Sequence, residues 1–476
     1  MSNLIRRLEG THKEVRSGAP EGAPAQVVDR GPVDLTADIK FRLHEKLLKQ
    51  MDISRFAGQE QAELRRLVEE AARTLLAAED VALSRDDRAR LVEEVADEVV
   101  GLGPIEPLLA DPTISEVMVN KPNQVFYERQ GVLHLSQRTF RDGDHIMRII
   151  EKIVAPIGRR IDESSPMVDA RLADGSRVNC IIPPLAVDSP TITIRKFSRD
   201  PLKVDDLINY GSITREIAEF LQACVAAQLN VIISGGTGSG KTTLLNVLSS
   251  FIPSDERMVT IEDPTELQLR QPHVVRLETR PPNIEGKGAV TTRDLVRNAL
   301  RMRPDRIIVG EVRSGEAFDM LQAMNTGHDG SLTTVHANTP RDAVARIENM
   351  VLMAGFELPI KAIREQIASA VQLVVQVARL RDGSRRVTHC TEISGMEGQV
   401  VTMQDIFVYE QHGVDENGKI IGQMRSTGLR PKFADRIEAA GIPLPPELFM
   451  ADRLAAFATP HASSNWAPSL AARMRN

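Results

Sequence analysis

The chain is poor in aromatic residues and cysteine and has no long apolar run. Aromatic residues make up only 4% of its 476 residues, which leaves little for a base-stacking surface that binds nucleic acid. Its three dispersed cysteines form no Cys-x-x-Cys pair. This excludes a four-cysteine zinc site and a disulfide framework, and favours a reducing cytoplasm. No apolar segment follows the N-terminal residues, so we expect no signal peptide. The stretch at 220–240 is interrupted by polar residues, so we expect no membrane span there.

Charge of one sign is not in large excess either. The formal net charge is −6, with 42% hydrophobic and 26% charged residues, values that are ordinary for a soluble globular protein. This balance argues mildly against a general nucleic-acid binder, although it does not describe how the charge is distributed. Because a chain of this length exceeds what one hydrophobic core organises, we expect several domains.

The most informative motif is the glycine-rich segment Gly-Gly-Thr-Gly-Ser-Gly-Lys-Thr at 235–242. It follows a short β-branched apolar run and precedes a helical pattern, which is the context that a phosphate-binding loop requires. The glycines let the backbone curl so that successive N–H groups point at phosphate oxygens, and the helix adds partial positive charge. The chain is therefore predicted to bind a nucleoside triphosphate.

Individual residues of this loop have expected roles. Lys241 is expected to reach the β- and γ-phosphates, and the Thr242 hydroxyl to ligate Mg²⁺. The predicted ATP-binding residues of the loop are Gly235, Gly236, Thr237, Gly238, Ser239, Gly240, Lys241, Thr242 and Thr243. The predicted cofactors are ATP and Mg²⁺.

Two acidic segments are expected near the γ-phosphate. A predicted buried strand that starts at Arg306 ends in Glu311, which is placed to orient or deprotonate the attacking water. The position before it, where ordinary ATPases of this type carry a metal-binding aspartate, is Gly310. A second strand ends at Glu262, which is the best candidate for the missing metal-side carboxylate, with Glu266 as a secondary candidate.

Histidines and arginines add further candidates. His336, at the end of a short strand, is placed to donate a hydrogen bond to the γ-phosphate, and His328 is the weaker candidate. Arg297, Arg301 and Arg303 lie on a predicted helix ahead of the acidic strand. They are either groups that a subunit supplies to its neighbour or a solvated basic helix face.

The rest of the chain divides into segments with different patterns of apolar, polar and turn-forming residues. Three amphipathic patterns between 35 and 100 predict a small three-helix bundle, and Ser84 opens the third with a capping-box pattern. Strand and turn signals at 101–200 predict an α+β domain, and alternating strands and helices at 213–412 predict a parallel sheet wound with helices. The other predicted segments are a disordered tail at 1–34, a linker at 201–212 and a C-terminal appendage at 413–476.

The order and spacing of these motifs resemble the ATPases of type II and type IV secretion systems and of type IV pili. The matching motifs are the phosphate loop, Glu262-Asp263-Pro264, the strand from Ile307 to Arg313, and Thr326-Gly327-His328 followed by Val335-His336-Ala337-Asn338. Glycine before the strand-end glutamate is itself usual in that family. Segments at 426–431 and 441–445 resemble the CpaF-type branch, the ATPases of tight-adherence pili. The type II secretion branch usually carries a four-cysteine zinc insertion, which three dispersed cysteines cannot supply.

The resemblance implies an α/β protein whose RecA-like motor domain follows an α+β domain of PAS-like type. It implies a cytoplasmic ATPase that forms a homohexameric ring peripheral to the inner membrane. That ring would push a platform protein in the membrane and drive pilin assembly, without stable nucleic-acid binding. Arg177 and Arg195 match arginines that reach the nucleotide phosphates from the first domain of related ATPases.

Three alternatives remain open at this point. A conjugation-type ATPase of the same superfamily would pass effectors or DNA. A nucleic-acid motor on the same core would show ATP hydrolysis that single-stranded DNA stimulates with a steep salt dependence. A nucleotide-binding regulator would show negligible turnover with any lipid or partner.

Overall fold

The computed structural model describes residues 35–50, 61–79, 81, 83–129, 131–197, 201–282 and 286–450. Within it the chain divides into two compact units, Met1–Lys196 and Phe197–Asn476. The predicted disordered tail at 1–34 and the last part of the predicted C-terminal appendage lie outside the described residues.

Three helices open the first unit, as the amphipathic patterns predict. They are α1 (Leu35–Gln50), α2 (Gln61–Ala77) and α3 (Arg85–Val99). Their apolar stripes enclose one core, which includes Ile39, Leu43, Leu47, Val68, Leu91 and Val95. Ser84 caps α3 as its sequence predicts, because its hydroxyl accepts a hydrogen bond from the N–H of Asp87 at 3.0 Å.

An antiparallel sheet with a covering helix forms the rest of the first unit. Its strands are β1 (Ile114–Lys121), β2 (Gln124–Arg129), β3 (Val132–Leu135), β4 (Met167–Arg171), β5 (Arg177–Ile181) and β6 (Thr191–Arg195). They lie in the order β3-β2-β1-β6-β5-β4. The short helix α4 (Glu106–Ala110) precedes the sheet, and α5 (Gly143–Val154) shares a core with it. The α+β character that the sequence predicts, with a helix near 144–155, is therefore present.

A charged cluster joins α3 to the α+β layer. The carboxylate of Glu98 lies 2.8 Å from Nζ of Lys40 and 2.9 Å from Nε2 of His145. Nδ1 of His145 accepts from the N–H of Arg141 at 3.3 Å, so Nε2 is the nitrogen that donates to Glu98. Lys152 donates to three backbone carbonyls at the C-terminal end of α3, at 2.6 to 3.3 Å. It thereby satisfies groups that the helix itself leaves without partners.

The second unit alternates helices and strands. Its helices are α6 (Val204–Asn209), α7 (Arg215–Ala226), α8 (Lys241–Ser249), α9 (Thr292–Ala299), α10 (Glu316–Asn325), α11 (Pro340–Met353), α12 (Ile360–Ala370) and α13 (Ala434–Ala439). Its strands are β7 (Val231–Gly235), β8 (Met258–Glu262), β9 (Val274–Glu278), β10 (Arg306–Val312), β11 (Leu332–Val335), β12 (Leu373–Arg379), β13 (Arg385–Glu397), β14 (Val400–Val414) and β15 (Ile420–Ser426). The five strands that the sequence predicts in this unit are β7 to β11.

These nine strands form one sheet in the order β15-β14-β13-β12-β7-β11-β10-β8-β9. The strands from β12 to β9 are parallel, whereas β13, β14 and β15 extend the sheet as an antiparallel meander. Helices cover both faces, so β7 and β8 are buried along their whole length and read as continuous apolar runs. The parallel sheet is as predicted, and the meander is an addition to it.

Two predicted boundaries fall inside regular structure. The predicted linker at 201–212 contains α6, whose Val204 and Leu207 are buried in the main core. The boundary predicted at residue 413 lies inside β14. Beyond it, Phe433 and Phe449 pack around Phe220 of α7, with ring centroids 6.2 Å from that ring. The segment after 413 therefore contributes to the core of the second unit up to residue 450.

Arg306, the first residue of β10, is fully buried. Its guanidinium pairs with both carboxylate oxygens of Glu256 and donates to the carbonyl of Val225 at 2.6 Å. A Cβ on Gly330 would lie 2.5 Å from Nη1 of Arg306, so the neighbouring turn requires glycine. This ion pair lies at the edge of the sheet where the parallel strands begin. Removal of Glu256 would leave the charge of Arg306 buried without a partner, which would strongly destabilise that edge.

The Glu98 cluster predicts a pH-dependent stability. Burial alone would raise the pKa of Glu98, but the hydrogen bond from His145 and the charge of Lys40 lower it to about 2. A carboxyl whose folded pKa lies below its unfolded value stabilises the fold above the unfolded value, and this contribution is lost as pH falls towards the folded pKa. We expect Glu98→Gln to lower the free energy of unfolding at pH 7 by on the order of 3 kcal/mol. Below about pH 4.5, the difference in unfolding free energy between the variant and the wild type should decrease steadily as the pH falls.

Denaturant titrations at a series of pH values measure this difference. Glu93→Gln, an exposed position on the same helix, is the matched control and should stay close to wild type. A Glu98→Gln difference that is constant from pH 7 to pH 3 would contradict the ion-pair explanation.

Candidate nucleotide-binding site

The glycine-rich loop connects β7 to α8, as its sequence context predicts. Gly238 and Gly240 have φ values of +68° and +95°, a region where a side chain strains the backbone. A Cβ on Gly235 would lie 2.5 Å from the backbone oxygen of Val377 in the adjacent strand, so that position also requires glycine. Backbone conformation and close packing therefore explain three of the four glycines in the loop.

The loop is closed around one of its own carbonyls. The carbonyl oxygen of Gly236 accepts from Nζ of Lys241 at 3.0 Å and from the hydroxyl of Ser239 at 2.8 Å. The N–H of Ser239 also points at it, at 3.4 Å. Burial lowers the pKa of Lys241, while the charge of Glu311 acts in the opposite direction. The carbonyl oxygen of Gly236 thus accepts hydrogen bonds from an ammonium group, a hydroxyl and a backbone N–H, the same types of donor that bind phosphate oxygens.

The parallel sheet brings several predicted residues to one edge. Glu262 ends β8, Glu311 lies near the end of β10, and His336 follows β11, so all three lie at the sheet edge that carries the loop. β11 lies between β7 and β10, so Glu311 is two strands away from the loop strand. His328 and Arg303 precede the starts of β11 and β10, at the opposite edge. The structure therefore does not bring these two secondary candidates together with the loop.

The side chain of Glu262 lies against the backbone of Gly310 in the neighbouring strand. Ile261 and Val309 are partners in the parallel register, so the next residues of both strands are side by side. A Cβ on Gly310 would lie 3.0 Å from Cγ of Glu262, closer than a side-chain contact normally permits. An aspartate at position 310 would therefore displace the Glu262 side chain from its present position.

Glu262 has one bonded and one unbonded carboxylate oxygen. Its Oε2 accepts from the backbone N–H groups of Glu266 and Leu267 at 2.6 and 2.8 Å. Its Oε1 is buried and has no hydrogen-bond partner among the residues that the structure describes. Burial raises the pKa of Glu262, and the two backbone hydrogen bonds act against this. An unpartnered buried carboxylate oxygen is costly, and Mg²⁺ or water held by Mg²⁺ is a fitting partner for it.

The protein alone offers few ligands for a metal. Across the described part of the chain, no group of three or more His, Cys, Asp or Glu side chains is arranged to hold a metal ion. Thr242 and Glu262 fit Mg²⁺ only as partial ligands, and phosphate oxygens would complete the set, as is usual for Mg²⁺ in phosphoryl-transfer sites.

Glu311 is held by an arginine that our sequence reasoning did not single out. Nε and Nη2 of Arg313 donate to Oε2 of Glu311 at 3.1 and 2.8 Å. This hydrogen bond, more than any other contact, raises the pKa of Arg313. The backbone N–H of Arg313 in turn donates to Glu316 at 2.6 Å, which fixes the turn after β10. An arginine two residues after a strand-end glutamate was the available signal, since both side chains lie on one face of a strand.

His336 lies in a turn that a second unpredicted residue holds. Nε2 of Gln376 in β12 donates to the carbonyls of Ala337 and Asn338 at 3.2 and 3.0 Å, and Gln376 is only 2% exposed. The pKa of His336 is lowered, first by burial and then by the charges of Lys241 and Arg346. Neutral imidazole is therefore favoured there. A glutamine that interrupts a valine-rich strand was the sequence signal for this tether.

The helix predicted to carry Arg297, Arg301 and Arg303 ends earlier than the sequence suggests. α9 ends at Ala299, so Arg301 and Arg303 lie beyond its end, and Arg303 has a φ of +55°. Nε of Arg297 lies 2.8 Å from the carboxylate of Asp319 in α10. Asp319 also binds Arg293 at 2.8 Å. Arg297 is therefore engaged within its own subunit.

Arg177 and Arg195 are cross-strand partners in β5 and β6. Nε of Arg195 lies 3.8 Å from the carboxylate of Glu116, and its side chain is 62% exposed. The two arginines belong to the first unit and the glycine loop belongs to the second. Their contact with nucleotide phosphates therefore stays a prediction.

Residues 98–427 match the family described as type II/IV secretion system protein, and residues 36–100 match the N-terminal domain of type II secretion system protein E. The chain belongs to the type II/IV secretion system protein family. The predicted type II/IV secretion family is confirmed, and so is the predicted α/β fold with a separate domain before the large, mainly parallel sheet. No helix in the described ranges is both long and apolar enough to cross a membrane.

Proteins similar to this chain include two from conjugation and type IV secretion. The conjugal transfer protein TrbB of Rhizobium radiobacter is 34% identical over 60% of this chain and 86% of its own length. The type IV secretion system protein VirB11 of Bartonella henselae is 33% identical over 62% of this chain and 93% of its own. Among solved structures, the VirB11 ATPase of Brucella suis in complex with sulphate is 32% identical, covers 60% of this chain and 94% of its own, and has a TM-score of 0.34. The pilus retraction motor PilT with bound ADP is 19% identical, with coverages of 71% and 86% and a TM-score of 0.46.

The contact between Glu262 and Gly310 predicts a specific non-additivity. Gly310→Ala should displace the Glu262 side chain and lower stability by roughly 1–3 kcal/mol, the cost of overpacking a close contact. In a Glu262→Ala background, where Cγ is gone, the same change should cost much less. Urea unfolding of the four proteins in this double-mutant cycle measures the coupling.

Gly413→Ala in β14 is the control, since an added Cβ there meets nothing within 4 Å. Equal costs of Gly310→Ala in both backgrounds would show that the two residues do not compete for space.

Proposed function

We propose that this chain is a Mg²⁺-dependent ATPase that works as a cytoplasmic motor for macromolecular transport at the inner membrane. One observation carries the proposal: the glycine-rich loop, Glu262, Glu311 and His336 lie at the same edge of a parallel sheet. In ATP-hydrolysing enzymes such an edge gathers a phosphate cradle, a metal-side acid and a water-orienting acid. Family membership supports the same activity.

Each residue has a distinct part in this proposal. Lys241 exchanges the carbonyl of Gly236 for the oxygens of the β- and γ-phosphates. Thr242 and Glu262 would help to hold Mg²⁺, which would supply positive charge to neutralise these oxygens. Glu262 offers its unbonded Oε1 on the metal side. Glu311, held at Oε2 by Arg313, keeps Oε1 to orient the attacking water and accept its proton.

We assign the coupling of ATP hydrolysis to movement to two arginines of the first unit. Arg177 and Arg195 are adjacent, and a guanidinium is always charged and can grip two phosphate oxygens at once. A contact that requires the γ-phosphate would hold the unit closed with ATP and release it after hydrolysis. In a homohexameric ring, as the family resemblance implies, six such movements would act on a membrane platform protein.

For the transported system we propose assembly of a tight-adherence pilus. The segments at 426–431 and 441–445 support it because they resemble that branch. Ser426 also donates to the carbonyl of Phe449 at 2.9 Å, so the first segment is fastened to the C-terminal part of the second unit. A conjugation-type or type IV secretion ATPase is the second candidate, and the similarity to TrbB and VirB11 favours it. A nucleic-acid motor has only the shared RecA-like core in its favour.

Two substitutions test the activity. Lys241→Ala should abolish phosphate release and leave the fold intact, because the lysine is only half buried and the Gly236 carbonyl keeps its Ser239 donors. Glu311→Gln should still bind ATP with Mg²⁺ but hydrolyse it at least tenfold more slowly, since the amide cannot accept the proton of the water. Phosphate release, nucleotide titration and circular dichroism of purified protein measure these effects, with exposed Lys361→Ala as the control.

Normal phosphate release from folded Lys241→Ala would exclude this loop as the catalytic site. Near-normal turnover of Glu311→Gln would move the role of base to Glu262. In the native cell, loss of surface pili with Lys241→Ala would support the pilus assignment. Loss of DNA or effector transfer with intact pili would support the second candidate.

The arginine pair of the first unit has its own test. We expect Arg195→Ala, and less strongly Arg177→Ala, to lose most turnover while the Kd for ADP changes little, because ADP lacks the γ-phosphate. Comparable arginines in other phosphoryl-transfer enzymes contribute about 10³–10⁵ in rate. Exposed Arg160→Ala is the matched control. Normal turnover and pilus assembly in both variants would rule out the closing movement.

A further inference from the structure

The hairpin between β12 and β13 lies against the outer side of the glycine-rich loop. β12 runs parallel to the loop strand β7, and Val377 is the register partner of Gly235. The hairpin therefore turns at the sheet edge that carries the loop. Nε of Arg385, the first residue of β13, donates to the carbonyl of Gly238 at 2.9 Å. This hydrogen bond joins a residue after the last parallel strand to a peptide of the loop.

A second arginine lies beside it. Arg379 and Arg385 are cross-strand partners at the end of the hairpin. Nη1 of Arg379 lies 3.8 Å from the place that a Cβ on Gly238 would occupy, and Cδ of Arg385 lies 3.5 Å from the corresponding place at Gly240. In the described part of the chain, neither arginine has an acidic partner. Like charges opposite each other are unfavourable in an antiparallel pair, so the hairpin concentrates positive charge at the wall of the loop.

The hydrogen bond from Arg385 acts on a donor inside the loop. The carbonyl of Gly238 and the N–H of Ser239 belong to one planar peptide group and point in opposite directions. A charged donor on the carbonyl polarises the group and strengthens the N–H as a donor. That N–H points at the carbonyl of Gly236, the same oxygen to which Lys241 donates. Arg385 thus strengthens the Ser239 N–H as a donor, and this N–H points at the same oxygen as Lys241, the predicted phosphate-binding lysine.

We propose that Arg385 is a positioning residue of the nucleotide site. It holds the Gly238 peptide in the orientation that presents the Ser239 N–H to a phosphate oxygen, and Arg379 adds to the positive potential that attracts the ligand. The ligand class is nucleoside diphosphates and triphosphates, because the loop contacts phosphates that both share. The inference rests on the proposed nucleotide binding and adds the hairpin to the site.

Nucleotide affinity separates this role from simple attachment of the hairpin. We expect Arg385→Gln to weaken binding of both ADP and ATP by about tenfold, as for loss of one charge-assisted hydrogen bond. The value of kcat/KM should fall more than kcat, since Arg385 does not touch the attacking water or the metal-side acids. Arg385→Lys, which retains a charged donor, should recover most of the affinity. Arg379→Gln should lower the association rate mainly at low salt.

Arg381→Gln is the matched control, because this exposed arginine lies in the same hairpin turn and leaves the Arg385 contact in place. Fluorescent ADP and ATP titrations of the full-length variants, with melting curves to show that each is folded, give the comparison. A Kd for Arg385→Gln within twofold of the Arg381→Gln value would overturn the inference and leave the proposed ATPase intact. Equal losses in Arg385→Lys and Arg385→Gln would also overturn it. Failure of the wild type itself to bind either nucleotide would remove both proposals.

Discussion

The site depends on the close approach of the Glu262 side chain to the backbone of Gly310. Adjacent strands of a sheet are only about 4.8 Å apart, and a Cβ on Gly310 would lie 3.0 Å from Cγ of Glu262. Glycine at position 310 leaves this side chain in place, whereas a larger residue would displace it. The backbone N–H groups of Glu266 and Leu267 then fix its direction. The position of the proposed metal-side acid therefore depends on two strands jointly.

The sequence predicts well the features that short-range patterns encode. β-branched runs predict the five strands β7 to β11, the glycine-rich segment predicts the loop between β7 and α8, and Ser84 predicts the start of α3. Parallel strands then bring their carboxyl ends together, and this places Glu262, Glu311 and His336 correctly at one edge. The same rule, applied strictly, puts His328 and Arg303 at the other edge, because they precede their strands.

Features that depend on contacts distant in sequence could not be predicted in this way. Gln376 holds the turn after His336 from a strand almost 40 positions later, and Arg385 contacts Gly238 across 147 positions. The antiparallel meander has weaker apolar patterning than the buried parallel strands, since one face of such strands commonly meets water. α9 ends at Ala299 and Arg303 has a positive φ, a local conformation that the apolar and charged pattern did not reveal, so the predicted helix extended too far.

In the proposed nucleotide site, the carbonyl of Gly236 would compete with phosphate oxygens for the donors of the glycine-rich loop. A carbonyl within the loop is always present at the donors, so phosphate oxygens bind only by replacing it, and part of the binding free energy is spent in that exchange. The same carbonyl is ready to take back Lys241 and Ser239 when a product leaves. Under the proposed function, this exchange would favour release of the product over tight retention of the nucleotide.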